Sequence, residues 1–182
     1  MDFENGVRNA MVWGICFIAT CVFILVIPTI NAATSSFAIR FPVLVIPLAL
    51  FAATLTAHMQ GYVQLGRKLG SMLLIRSTQA LMFALPVFML SVIWSICANI
   101  WFSDTAKFAD AIIGLLVSLS LIPAILFAIA IMKTYKRFGI LTIAIAAIMP
   151  TAVATMWRPW PIALLVALSA YFLFRISSRK LI

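Results

Sequence analysis

Long apolar runs alternate with short polar connections along the whole chain. A hydrocarbon core about 30 Å thick requires about 20 apolar residues per helix, and six stretches reach or approach this length. These predicted spans are residues 11–30, 42–63, 80–102, 111–132, 138–156 and 160–174, and none contains Asp, Glu, Lys or Arg. The pattern predicts an all-α membrane protein with six transmembrane helices, organised as a single polytopic domain over residues 1–182.

The first and last spans require separate interpretation. Residues 11–30 exceed the apolar core of about 7–15 residues that a secretory signal carries, so we interpret them as a retained first span. Residues 160–174 would extend only about 22 Å at 1.5 Å per residue. The last span is therefore expected to need the turn at Pro161 or a locally thinned bilayer.

The composition supports the same class of protein. Apolar residues make up 65% of the chain and charged residues only 9%, whereas about a quarter of a typical globular chain is charged. The net charge of +9 does not indicate nucleic-acid binding, because the bases punctuate apolar runs instead of covering a polar surface. Cys16, Cys21 and Cys97 show no metal-binding or disulfide spacing and are expected to be small apolar residues in helices.

The 13 basic residues divide unequally between alternate connections. Loops this short fall under the positive-inside rule, so the richer side is predicted to be cytoplasmic. Both termini would then be cytoplasmic, and a bacterial inner membrane is the expected location. The richer side carries Arg8, Arg67, Lys68, Arg76, Lys133, Lys136, Arg137, Arg175, Arg179 and Lys180, and the other side carries Arg40, Lys107 and Arg158.

Prolines fall within or near four of the predicted spans: Pro47, Pro86, Pro123 and Pro150. Each removes a helix hydrogen bond and favours a kink. A transporter or channel that bends would use such kinks. The alternative is that proline is simply more frequent in membrane helices than in soluble ones.

Catalytic and cofactor motifs are not apparent in the chain. His58 is the single histidine, and it is expected to be a helix-packing or interfacial residue, with a proton-relay or ligand role as the alternative. The intramembrane hydroxyls are expected to bond to carbonyls of their own helices. Since no P-loop is present, we expect no enzyme activity, no metal and no cofactor.

Residues 62–79, YVQLGRKLGSMLLIRSTQ, combine bases with helical apolar spacing. Leu65, Leu69, Met72 and Leu73 would share one face of a helix lying on the cytoplasmic surface. One interpretation is an orientation signal that also contacts anionic lipid. The more specific interpretation is a docking helix for a cytosolic protein.

Three segments give the chain a resemblance to the membrane subunit of ABC-2-type exporters: QLGRKLGSMLLIR at the second connection, the closing YFLFRISSRKLI, and IMP at 148–150. The resemblance implies a homodimeric or heteromeric permease that exports a hydrophobic or amphiphilic substrate, with ATP bound by a separate cytosolic ATPase. That ATPase would dock on the two basic connections. The docking residues would be Leu65, Arg67, Lys68, Leu69, Met72 and Arg76 in one connection and Lys133, Lys136 and Arg137 in the other.

Other functions remain open at this point. An accessory subunit or assembly scaffold of a larger membrane complex would explain the lack of a catalytic site. A passive channel is a third hypothesis, and a membrane enzyme is the last.

Overall fold

The computed structural model describes residues 3–33, 37–101, 103–155 and 159–178, which form helices joined by short turns. The all-α prediction is confirmed for these residues. Five of the predicted spans overlap one long helix each, and the span 138–156 overlaps the end of α5 and the shorter α6. The helices are α1 Phe3–Ala33, α2 Phe37–Leu69, α3 Met72–Trp101, α4 Ser103–Met132, α5 Tyr135–Phe138, α6 Leu141–Ala154 and α7 Pro159–Ser178.

The long helices pack in chain order and close into a ring. α1 packs against α2, α2 against α3, and α3 against α4. α4 then packs against α6, α6 against α7, and α7 against α1, while the short α5 packs beside α6. Short connections make neighbouring helices antiparallel. The start of α1, the α2–α3 and α4–α6 connections and the end of α7 therefore lie at the same end of the bundle.

Aromatic side chains fill the ring near this end. Tyr62 of α2 lies edge-on to Phe127 of α4, with ring centroids 4.9 Å apart, and parallel to Phe172 of α7 at 6.3 Å. Phe138 of α5 in turn meets Phe172 edge-on at 5.7 Å. Aromatic pairs contribute about 0.5–1.5 kcal/mol beyond the area that they bury. These rings therefore tie α2, α4, α5 and α7 together across the interior.

The outward face of α4 is as apolar as a protein core. The stretch Ala111–Met132 has a mean hydropathy of 2.7, yet only 28% of it is buried in the bundle. Leu115, Leu119 and Ile122 are each more than half exposed. A helix that is hydrophobic all round belongs in a large core or in a membrane. With Glu4–Phe23 and Pro161–Ser178, the described residues contain three helices long and apolar enough to cross a membrane.

The bounds of α6 and α7 differ from those of the spans predicted for them. α7 continues past residue 174 and has 20 residues, so the helix extends about 30 Å. α6 has 14 residues and is shorter than the predicted span 138–156. Gly139, at φ 79°, separates α6 from α5, so Phe138 belongs to the connection and not to the span.

The predicted amphipathic surface helix between the second and third spans does not form, and this prediction is wrong. Residues up to Leu69 continue α2, and α3 begins at Met72. Gly70 has φ 65°, a left-handed conformation that glycine adopts without steric cost, and the chain reverses there. Leu65 is consequently fully buried whereas Met72 is 59% exposed. Leu69 and Leu73 also pack against the core, but they belong to different helices, so the four apolar residues do not form one face of a single surface helix.

The four prolines Pro47, Pro86, Pro123 and Pro150 all lie inside helices. Each lacks the amide hydrogen that would bond to the carbonyl four residues earlier. The helix α6 nevertheless continues through Pro150 to Ala154, so the IMP motif does not interrupt it. Kinking at these prolines stays a prediction.

Candidate functional site

Exposed bases gather at one end of the ring, which we call the basic end. Arg40 and Lys107 lie near the starts of α2 and α4, at the opposite end. Arg158, Arg179 and Lys180 lie outside the described residues. The bases of the basic end are Arg8, Arg67, Lys68, Arg76, Lys133, Lys136 and Arg137, which are exposed, and the half-buried Arg175.

The α2–α3 turn is a Schellman C-cap built on glycine. The amide of Ser71 donates to the carbonyl of Gly66 at 2.9 Å, and the amide of Gly70 donates to the carbonyl of Arg67 at 3.2 Å. These two bonds satisfy carbonyls at the end of α2 that have no partner within the helix. Arg67 and Lys68 therefore lie in the last turn of α2, directly before a closed chain reversal, and not on a separate docking helix.

The same turn starts α3 without a linker. Ser71 is the N-cap of α3, because its hydroxyl oxygen accepts from the amide of Leu74 at 3.4 Å. Gly66 packs closely beneath the turn, where an added Cβ would lie 2.7 Å from Cγ1 of Ile75. Two glycines and one capping serine thus explain why the basic segment folds as a hairpin of helices.

The α4–α6 connection is longer and carries a helical turn of its own. The amide of Phe138 donates to the carbonyl of Thr134 at 3.0 Å, and the hydroxyl of Thr142 donates to the carbonyl of Gly139 at 2.8 Å. Phe138 is buried against the bundle, and the guanidinium of Arg137 lies 5.8 Å from its ring centroid. The exposed bases of this connection are therefore held against the bundle by one inserted ring.

A second polar feature lies inside the ring, between α1, α2 and α7. His58 is 1% exposed. Its Nδ1 lies 2.7 Å from the carbonyl oxygen of Ala10 in α1, and its Nε2 lies 2.6 Å from Oγ of Ser169 in α7. Gly14 makes room for the ring, since an added Cβ there would lie 2.8 Å from Nδ1. The histidine therefore joins three helices through hydrogen bonds, as the packing interpretation expected.

The bond between His58 and Ser169 differs from most hydroxyl contacts in the bundle. Other hydroxyls within the long helices donate to carbonyls of their own helix, as predicted. Thr54, for example, donates to Leu50 at 2.7 Å, and Ser118 donates to Gly114 at 2.8 Å. Ser169 instead contacts a side chain on another helix and links α7 to α2.

Sequence reasoning did not single out Ser169 or Tyr62, because 111 residues separate His58 from Ser169. One signal in the sequence was available. Ala10 and Gly14 are small residues four positions apart on α1, a spacing that permits close helix contact in membranes. They mark the face of α1 against which the histidine packs.

Two small cavities lie inside the ring beside this cluster. One, of about 20 Å³, is lined by apolar side chains of α2, α3, α6 and α7, including Leu81 and Val153. The other, of about 10 Å³, is lined in part by His58, Tyr62 and Ser169. Because Leu55, Met59, Met149 and Leu165 line both cavities, the two adjoin each other along the interior.

Metal-ligand clusters do not occur in the described part of the chain: no three His, Cys, Asp or Glu side chains there could jointly hold an ion. The buried polar residues of the same part are hydroxyl residues and His58: Thr54, His58, Ser77, Thr78, Ser120, Thr142 and Ser169. With the buried hydroxyl of Tyr62, the polar groups of the described interior are therefore hydroxyls and one imidazole.

Comparisons with protein-family models, curated proteins and solved structures found no match to this chain.

Proposed function

We propose that this chain is the six-span membrane subunit of a complex, oriented with both termini in the cytoplasm. The exposed apolar surface of α4 supports a lipid environment. The gathering of exposed bases at one end supports the orientation, because bases flanking short loops are retained on the cytoplasmic side. The proposed location is a bacterial inner membrane.

Within such a complex, the chain acts as an exporter permease driven by a separate ATPase of the ABC type. The observation that carries this proposal is the pair of basic connections at the same end of the ring, each closed by its own backbone hydrogen bonds. A cytosolic subunit that contacts both could move α2–α3 and α4–α6 together. Prolines inside α2, α3, α4 and α6 provide positions at which those helices would bend.

The α2–α3 and α4–α6 connections differ in the surface that they offer to a docking partner. The end of α2 carries Arg67 and Lys68 without a separate surface helix, whereas α5 carries Lys136 and Arg137 on a helical turn. A partner surface rich in carboxylates would complement both pairs, since opposite charges steer encounter and fix register. We therefore place the main contact at α5 and a secondary one at the α2–α3 turn.

Copurification with a P-loop ATPase tests this proposal. The paired substitution Lys136→Glu and Arg137→Glu should abolish ATPase recovery, and Arg67→Glu with Lys68→Glu should reduce it. Lys107→Glu, at the opposite end, is the matched control and should leave recovery unchanged. An ATPase that remains bound after both pairs are reversed would contradict docking at the basic end.

A second function is favoured by the size of the interior cavities. These two cavities, of about 20 and 10 Å³, each hold a water molecule at most, so neither of them is large enough to hold a transported substrate. A non-transporting accessory subunit or scaffold needs no larger space. Stoichiometric membrane complexes that contain no ATPase would support this function, whereas ion flux through liposomes containing the purified chain alone would indicate a passive channel.

A further inference from the structure

The exposed face of α4 forms an apolar stripe that leads to a base. Its large side chains follow one another at alternating spacings of four and three residues, so they share one face of the helix. They are Leu115, Leu119, Ile122, Leu126 and Ile129, each between 39% and 59% exposed. The amide of Lys133 donates to the carbonyl of Ile129 at 3.2 Å, so helical geometry continues to this exposed lysine. Lys133 therefore lies at the end of the same face.

Within the described residues, two other helices are long and apolar enough to cross a membrane, and both repeat this arrangement. On α1, the exposed Arg8 is followed at spacings of four and three by Val12 and Ile15, which are 53% and 65% exposed. On α7, Tyr171 is 57% exposed and lies four residues before the half-buried Arg175. Each exposed apolar face thus meets a base at the basic end, and α4 is the most apolar of the three helices.

We propose that the face of α4 from Ile122 to Lys133 binds an anionic phospholipid of the cytoplasmic leaflet. One acyl chain packs along Ile122, Leu126 and Ile129, and the phosphate meets the ammonium of Lys133. Ile122 lies about 16 Å below Lys133 at 1.5 Å per residue, and one leaflet of a hydrocarbon core about 30 Å thick spans about 15 Å. The stripe therefore matches one lipid in length. This proposal rests on the membrane environment and orientation proposed above, and not on the docking of an ATPase.

The apolar stripe and the lysine select this ligand together. The aliphatic stem of a lysine packs on apolar surface while its ammonium stays among polar groups, so Lys133 continues the stripe into the headgroup layer. A free phosphate ion would use only the ammonium, and a protein carboxylate would leave the stripe uncovered. A zwitterionic lipid carries its own cation beside its phosphate. A basic side chain near the membrane surface attracts anionic lipid by about 1 kcal/mol, which corresponds to a preference of about five-fold.

Fluorescence quenching by labelled lipids, measured on the full chain in nanodiscs, tests the site locally. In a background without the three native cysteines, Met132→Cys carries the fluorophore beside Lys133, because Met132 is 51% exposed. Phosphatidylglycerol and phosphatidylcholine bear the same nitroxide near the top of one acyl chain. At equal low fractions, phosphatidylglycerol should quench several-fold more strongly, up to about five-fold. Lys133→Gln should make the two lipids nearly equal, whereas Lys133→Arg and the control Lys107→Gln, near the other end of α4, should retain the preference.

The remaining outcomes separate this site from its alternatives. Equal quenching by the two lipids beside an intact Lys133, or a preference undiminished by Lys133→Gln, would overturn the lipid site. Soluble glycerol phosphate, added at matched ionic strength, should leave the preference intact, and its loss would indicate a free phosphate ligand instead. Quenching by neither lipid would overturn the proposal together with the membrane environment on which it rests. Since Lys136 and Arg137 are unchanged and no ATPase is present, these results are independent of the docking proposal.

Discussion

Two regions of the bundle differ in how closely their helices pack: the junction of α1, α2 and α7, and the outer face of α4. At the junction an added Cβ on Gly61 would lie 2.7 Å from Cβ of Ala10 and 2.8 Å from Cδ1 of Leu173. On α4 an added Cβ on Gly114 would meet no atom within 4 Å. The same residue type is therefore required in one region and replaceable in the other.

Polar groups show the same division. Ser169 at the junction bonds to a side chain on a different helix, whereas Ser118 on α4 bonds to its own helix backbone. The contacts that specify how the helices pair are therefore found at the junction. The exposed surface of α4, by contrast, makes few contacts with other helices, and its composition reflects whether lipid or water surrounds the bundle. The predictions below test each half of this contrast, from the largest expected effect to the smallest.

Leu119→Arg places a charge on the exposed α4 face and tests the solvent directly. An arginine near the centre of a membrane helix costs about 2.5–3.5 kcal/mol on insertion scales, so the variant should show a marked loss of membrane-inserted protein. Leu119→Met, measured in the same membrane fractions, should behave like the parent chain. A soluble bundle would tolerate Leu119→Arg, since most exposed substitutions change stability by less than about 0.5 kcal/mol.

Gly61→Ala should destabilise the junction by about 1–3 kcal/mol, the usual cost of an overpacked core. The new Cβ would have to displace Ala10 or Leu173. Gly114→Ala is the matched control and should be neutral or stabilising by up to about 1 kcal/mol, because alanine favours helix. Thermal unfolding in detergent measures both variants. Equal shifts of Tm for the two would contradict the contrast between the regions.

Ser169→Ala should cost about 1 kcal/mol, since side-chain hydrogen bonds between membrane helices average about 0.6 and reach about 1.7 kcal/mol. Ser118→Ala removes a serine hydroxyl that bonds only to the backbone of its own helix. It should therefore change the free energy of unfolding less. The same unfolding assay compares them. A larger loss for Ser118→Ala would show that the His58–Ser169 bond does not hold α7 in place.

Much of the helical architecture could be predicted from the sequence, because each predicted span overlaps a helix, although α6 is shorter than the span predicted for it. The division of bases was also readable, since it depends only on counting along the chain. The surface helix at residues 62–79 was mispredicted because apolar spacing was given more weight than Gly66 and Gly70, which form the turn. The partner of His58 could not be predicted, because the pairing with Ser169 depends on the closure of α7 onto α1.

The most direct test of the account is the accessibility of single cysteines on either end of the bundle. In a background without Cys16, Cys21 and Cys97, the substitution Lys136→Cys places a thiol at the basic end, and Ser103→Cys places one at the opposite end. A membrane-impermeant maleimide applied to intact cells should label Ser103→Cys and should label Lys136→Cys only after the membrane is permeabilised. Labelling of Lys136→Cys in intact cells would contradict a cytoplasmic basic end and the docking function proposed for it.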